Sequence, residues 1–237
     1  MSRPGSAVSA VIAGVAGLLG AAVLAVLAGV VPAGAAAAAP AASRSAPATA
    51  FVVRQRITVT APAYGSTYAT LRVYRLSAGK WVKVYGPWTA RVGYNGVARP
   101  GQKREGDGTT PSGTFGFGFF FGVQPNPSPH FAFSFRRADR YDFWDDDPES
   151  PRYNEWVVGR QNAGAYPEPM YNVPAYDYAA VIAYNTARIP GRGSAIFLHA
   201  GTGGPTAGCV SLPETELLKV LHWLRPADHP RIAIGAR

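Results

Sequence analysis

Beyond residue 50 the chain alternates apolar and polar positions with the period of two that marks half-buried strands. Phe51-Val52-Val53 leads into Arg54–Thr60, whose second half alternates. Leu71–Leu76 alternates throughout, and after the turn Ser77-Ala78-Gly79-Lys80 the run Trp81–Tyr85 completes a predicted β-hairpin. Thr114–Phe121 predicts another strand in which Gly116 and Gly118 alternate with phenylalanines, and glycines there point to close approach of a backbone or a ligand. Tyr178–Tyr184 and Ser194–His199 are short apolar runs without strict alternation, as buried strands are. Pro213–Leu224 has helical spacing, with Leu217, Leu218, Val220, Leu221 and Leu224 on its apolar face and Pro226 just past its end. Pro213 falls in the first turn, and Ser211 with Glu214 has the spacing of a capping box. Arg231–Ile234 reads as a final strand, and residues 122–175, rich in Pro, Tyr, Asp and Asn, are expected to form long surface loops. The pattern predicts a mainly β, α+β fold with one short helix.

Residues 1–50 follow a different pattern. Arg3 supplies a positive charge, Ala7–Val31 is a run of small and apolar residues, and Ala33-Gly34-Ala35 and Ala37-Ala38-Ala39 match the small-x-small signature of signal peptidase sites. The run is also long enough to span a bilayer, so an uncleaved anchor is the competing reading. The expectation is a signal peptide or N-terminal anchor over 1–39, an Ala/Pro/Ser linker over 40–50 and an exported domain over 51–237.

Charge and composition narrow the function. The chain of 237 residues carries a formal net charge of +9, but its basic residues are scattered, with only pairs such as Arg136-Arg137 and Lys103-Arg104. Without a basic stripe or a binding module, nucleic acid is not an expected partner. Such a charge suits attraction to the anionic polymers of a cell envelope, or serves solubility alone. The single cysteine, Cys209, excludes an intrachain disulfide framework and argues against a cysteine-rich zinc site. His130, His222 and His229 lack metal-ligand spacing, so no metal or cofactor is expected. The triplet Asp145-Asp146-Asp147 lacks the spacing of a calcium loop and is expected to be a solvated acidic loop. The protein is expected to be a monomer, touching a membrane only through an uncleaved N-terminus.

The chemistry concentrates between Ile196 and Ser211. His199 ends an apolar strand, a glycine-rich loop follows, and Cys209 comes ten residues later, just before the predicted helix. A Cys–His pair is a basic form of nucleophilic catalysis. The thiolate is the reactive species, and an imidazole or a helix N-terminus can lower the thiol pKa. Gly208 is expected to turn the backbone sharply and leave the amides of Gly208 and Cys209 free to stabilise an oxyanion. The aromatic residues Tyr85, Trp88, Tyr141, Trp144 and Tyr153 either line a cleft for a peptide or sugar or pack the core.

Ser194–Pro226, with Ile196-Phe197-Leu198-His199 and Pro205-Thr206-Ala207-Gly208-Cys209-Val210-Ser211, resembles the catalytic core of the L,D-transpeptidase (YkuD-like) family. Lys103–Phe115 resembles the same family's upstream signature, and Asp147–Asn154 is similar to a loop of its secreted actinobacterial members. The resemblance implies a β-sandwich in which Cys209 attacks a peptidoglycan stem peptide between diaminopimelate and D-alanine, with His199 as general base. It implies a thioester resolved by an amine to give a 3→3 cross-link; the alternatives are hydrolysis by an L,D-carboxypeptidase and a catalytically silent wall-binding module. Tyr85, Trp88, Tyr153, Thr206 and Ser211 are the expected substrate contacts. The family's common Ser/Thr-His-Gly-Cys, followed two positions later by Arg or Asn, is here Thr206-Ala207-Gly208-Cys209 with Ser211 in the later place.

Overall fold

The computed structural model describes residues 51–237; the expected signal or anchor segment and the linker lie outside them. In chain order the first strands are β1 (Gln55–Ala61), β2 (Tyr68–Ser77), β3 (Lys80–Arg91), β4 (Gly113–Phe115) and β5 (Phe117–Gly122). The middle of the chain forms β6 (Phe135–Arg137), β7 (Asp142–Asp145), β8 (Glu155–Val158) and β9 (Glu168–Pro169). Then come β10 (Ala179–Ile182), β11 (Phe197–Ala200), β12 (Val210–Leu212), the helix α1 (Glu214–Trp223) and β13 (Arg231–Ala236).

Ten strands form one mixed sheet in the order β4-β13-β1-β2-β3-β12-β11-β10-β5-β6. The sheet curls so that strands far apart in this order share one core: Ile57, Val59, Leu71 and Val73 pack in the same cluster as Phe120, Ile182, Leu198 and Val210. Helix α1 closes that core with Leu217, Val220 and Leu221 and packs over β11 and β12. This is the mainly β architecture the periodicity predicts, with the sandwich-like form the family resemblance implies. The β2–β3 hairpin forms as expected, turning at Ala78 and Gly79, both in the left-handed region. No helix among the described residues is long and apolar enough to cross a membrane.

Three expectations are corrected. Residues 122–175 are not only loops: β7, β8 and β9 form a second, three-stranded sheet whose Trp144 and Trp156 pack against Phe119, Phe121 and Phe197. These strands are two to four residues long, too short to show a period of two in sequence. The capping box does not form either. Ser211 lies inside β12, Pro213 occupies the N-cap position without a side-chain cap, and the Ser211 hydroxyl is buried without a hydrogen-bond partner. Finally, Asp145 is fully buried, accepting hydrogen bonds from Ser150 Oγ and the Asp147 and Gly164 amides, so the acidic triplet is loop framework and not a solvated patch.

Candidate active site

β11 and β12 run parallel, with His199 in register with Ser211. Cys209 immediately precedes β12, two residues before Ser211 on the same face, which places it diagonally across from His199. Strand spacing and rise make that diagonal roughly 8 Å between Cα atoms. His199, Thr206, Gly208, Cys209 and Ser211 line one cavity of about 390 Å3.

Cys209 Sγ donates to the Ala195 carbonyl at 3.2 Å and accepts from the Phe197 amide at 3.3 Å. Ala195 is held in the left-handed region at φ 50°, its amide bonded to Asn154 Oδ1 at 3.2 Å, and this strained turn aims its carbonyl at the sulfur. His199 Nδ1 lies 2.7 Å from the Ala200 carbonyl, which can only accept, so that nitrogen carries the proton and Nε2 is left as the basic atom. Among the described residues no hydrogen bond joins sulfur to imidazole, because each is turned to a backbone carbonyl. The Tyr176 ring meets the imidazole edge-on at 5.4 Å.

Burial lowers the His199 pKa to about 4, against the opposing pull of the Ala200 and Ala175 carbonyls. Burial pushes the Cys209 thiol well up, and Glu168 and Asp146 add to that while the Phe197 amide and Lys103 pull against it. The expected helix N-terminus gives no help, since β12 separates Cys209 from α1. The resting pair is therefore neutral thiol and neutral imidazole.

The loop before Cys209 is fastened by threonines. Thr206 Oγ1 donates to the Cys209 carbonyl at 2.7 Å and accepts from the Gly208 amide at 3.2 Å, while Thr110 Oγ1 reaches the same carbonyl at 3.1 Å. The Gly208 amide is thus already engaged. Gly208 does not have positive φ; it is needed for close approach, because a Cβ there would sit 3.1 Å from the Thr109 carbonyl and 3.6 Å from Lys103 Nζ. The Lys103–Phe115 signature thus supplies the backbone and the cation behind the cysteine loop.

Four cavity residues were not expected at the site: Lys103 and Glu105 of the upstream signature, Asp146 of the acidic triplet, and Glu168. Lys103, only 6% exposed, pairs with Asp107 at 2.7 Å. Ser194 Oγ lies 2.7 Å from Glu105 Oε2 and 2.8 Å from Asp146 Oδ1. One hydroxyl proton serves one carboxylate, so the second bond requires a protonated acid. Asp146 fills that role: burial, then Glu168, raises its pKa to about 8. Burial likewise raises Glu168, which accepts from the Tyr176 hydroxyl. None of Glu105, Asp146 and Glu168 has a cationic partner among the described residues. They are separated by tens of residues, so no local pattern shows that they share one wall.

Of the remaining expected contacts, Tyr153 stands behind the cavity, its hydroxyl bonded to Glu105 and to the Gly193 amide. Tyr85 and Trp88 do not line the cavity; they stack on each other at 5.5 Å on β3, Tyr85 edge-on to Trp223 of α1.

A mainly β domain whose Cys209 and His199 open into one cavity brings together the residue types that nucleophilic catalysis by a Cys–His pair uses. Residues 57–234 match the L,D-transpeptidase catalytic domain (YkuD), and the chain belongs to that family, whose activity is L,D-transpeptidase-type modification of peptidoglycan. No curated protein matches the chain. Among solved structures it is similar to the helical cell shape determining protein Pgp2 from Campylobacter jejuni, at 13% identity and TM-score 0.35, covering 78% of this chain and 48% of that one.

Proposed function

We propose that residues 51–237 form an exported L,D-transpeptidase in which Cys209 is the nucleophile and His199 the general base. The observation that carries this reading is the opening of both side chains into the same cavity, on adjacent parallel strands. Because the resting thiol and imidazole are both neutral, the proton moves as the thiol attacks, with no thiolate formed beforehand. Substrate entering the cavity displaces the thiol from the Ala195 carbonyl, and catalytic hydrogen bonds of this kind tighten only in the complex.

Sulfur attacks the carbonyl joining diaminopimelate to D-alanine, and His199 Nε2 takes the thiol proton. The C–N bond then breaks, His199 returns the proton to the departing amine, and a thioester remains. An amine of a second stem attacks the thioester, its proton passes to His199, and the thiol leaves with that proton as the new amide forms. With the Gly208 amide engaged, the Cys209 amide and the buried Lys103 ammonium are the groups that face the developing oxyanion. The acidic wall of Glu105, Asp146 and Glu168, with Asp146 the one held as the neutral acid, favours an amine acceptor over water, since an entering ammonium gains an anionic partner there. The Ser211 hydroxyl, buried without a partner, is matched by a polar group of the substrate. Export rests on Ala7–Val31 and the Ala-x-Ala sites that follow.

Mass spectrometry after incubation with a stem tetrapeptide tests the reading. The expected result is a mass gain equal to the tetrapeptide less D-alanine, absent in Cys209→Ala, and conversion to a cross-linked dimer once a second stem is supplied. A wild-type protein that gains no mass from tetrapeptide is not this enzyme. Free tripeptide as the sole product would make it an L,D-carboxypeptidase.

A further inference from the structure

The outer face of β13, β1, β2 and β3 carries basic side chains and no acidic one. Every Asp and Glu of the chain lies at residue 105 or later, and none falls in β13 or the residue that follows it. Strand register sets Arg231 beside Arg56, Arg56 beside Tyr74, and Tyr74 beside Lys83, a row across four strands. A second row pairs Ala233, Thr58 and Arg72, and a third pairs Gly235, Thr60, Thr70 and Thr89. Arg91 lies opposite Tyr68 at the end of β3, and Arg237 shares a trough of about 560 Å3 with Thr60, Thr70, Arg72 and Thr89.

These cations are held in place but not neutralised. The Arg56 guanidinium lies 4.2 Å over the Trp81 ring and 5.6 Å from that of Tyr74, and Arg91 lies 3.7 Å over Tyr68. Such stacking fixes the guanidinium plane while leaving its charge unopposed. Arg56 Nε and Arg91 Nε are buried without hydrogen-bond partners. Among the described residues none of Arg56, Arg72, Lys83, Arg91, Arg231 and Arg237 has a carboxylate within ion-pair distance. The hydroxyls of Thr58, Thr60, Thr70 and Thr89 make no intramolecular hydrogen bond among the described residues, which leaves them free to bond a ligand.

We propose that this face is a docking surface for a linear polyol-phosphate polymer. Repeating negative charge suits rows of arginine and lysine with no acidic neighbour, and the threonine rows match phosphate oxygens and polyol hydroxyls. Phosphodiesters bearing bases fit less well. Binding of single-stranded nucleic acid depends on aromatic faces on which bases stack, and here Tyr68, Tyr74 and Trp81 already hold guanidinium groups. The surface is also a sheet face, without a helix to enter a groove. The effect of docking is to hold the enzyme on a polyanion independently of the Cys209 cavity.

The test is binding of the full chain to purified poly(glycerol phosphate), by fluorescence anisotropy, across a salt series. Affinity should fall steeply with salt, and Arg72→Glu and Lys83→Glu should each weaken it about tenfold. Arg72→Gln, which carries no new charge into the sheet, should weaken it in the same direction by a smaller factor. Arg140→Glu, the same charge change on an exposed residue between β6 and β7, should have little effect. Equal loss in Arg140→Glu and Arg72→Glu would mean attraction by net charge alone and overturn the surface. Equally tight binding of uncharged dextran, of a uronic acid polymer or of single-stranded DNA would overturn the polyol-phosphate assignment.

Discussion

At the residue scale, Ser211 separates two roles that its sequence position suggests equally well. As a helix cap, its loss would cost about 1 kcal/mol. Inside β12, with a buried hydroxyl and no partner, its removal should cost nothing or raise the unfolding midpoint, because an unpaired buried hydroxyl is itself destabilising. Ser211→Ala is therefore expected to be as stable as the parent by urea unfolding, yet about tenfold slower in acylation if substrate supplies the missing bond. Lys103 makes the complementary case. It is buried, paired with Asp107 and close to the backbone at Gly208, so Lys103→Met should lower single-turnover acylation about a hundredfold, the usual scale for removing an oxyanion-stabilising group. Lys103→Arg should not restore it, since a guanidinium exceeds the space the ammonium occupies beside Gly208, where an added Cβ would already come within 3.6 Å of it. Cys209 and His199 stood out in the sequence because they are rare residues at element ends. Glu105, Asp146 and Glu168 did not, because only the folded loops bring them to one wall.

At the element scale, what was legible followed the length of each periodic run. α1 keeps close to its expected limits, and the hairpin forms from the runs Leu71–Leu76 and Trp81–Tyr85, although β2 starts at Tyr68 and β3 runs on to Arg91. β7, β8 and β9 hold four residues or fewer, and their pairing depends on tryptophans packing against Phe119 and Phe197, a contact no local pattern encodes. The strand Thr114–Phe121 was legible as one element but splits at Gly116, where a Cβ would sit 2.9 Å from Arg231 Nη1, so what approaches there is a side chain and not the backbone or ligand expected. Helix α1 matters to the site through its buried face. Leu221 is fully buried in the core beneath β11 and β12, so Leu221→Ala should cost about 2–5 kcal/mol in urea unfolding. Because α1 backs the strands carrying His199 and Ser211, the same variant should also acylate more slowly at temperatures where it remains folded.

At the scale of the whole molecule, the cavity carries two opposed pH dependences of stability. His199 is depressed to about 4 in the folded protein, against an ordinary 6.5, so the stability gained by keeping it neutral is present above about 6.5 and lost as pH falls toward 4. Asp146 is raised to about 8 from 3.8, so its contribution is present at low pH and lost as pH rises toward 8; buried Glu168, also raised, acts in the same sense. Between pH 4 and 6.5 the folded state thus binds a proton at Asp146 that the unfolded chain lacks, and lacks one at His199 that the unfolded chain binds. The two slopes oppose each other there. Above 6.5 only the carboxylate effect remains, and stability should decline up to about pH 8. Asp146→Asn removes that residue's share of the decline, so between pH 6.5 and 8 its stability should fall less than the parent's. Urea unfolding of both proteins from pH 5 to 8.5 measures this directly. Parallel curves for parent and variant would show that Asp146 is not the group held protonated, and with it would go the hydrogen-bonded chain from Asp146 through Ser194 to Glu105.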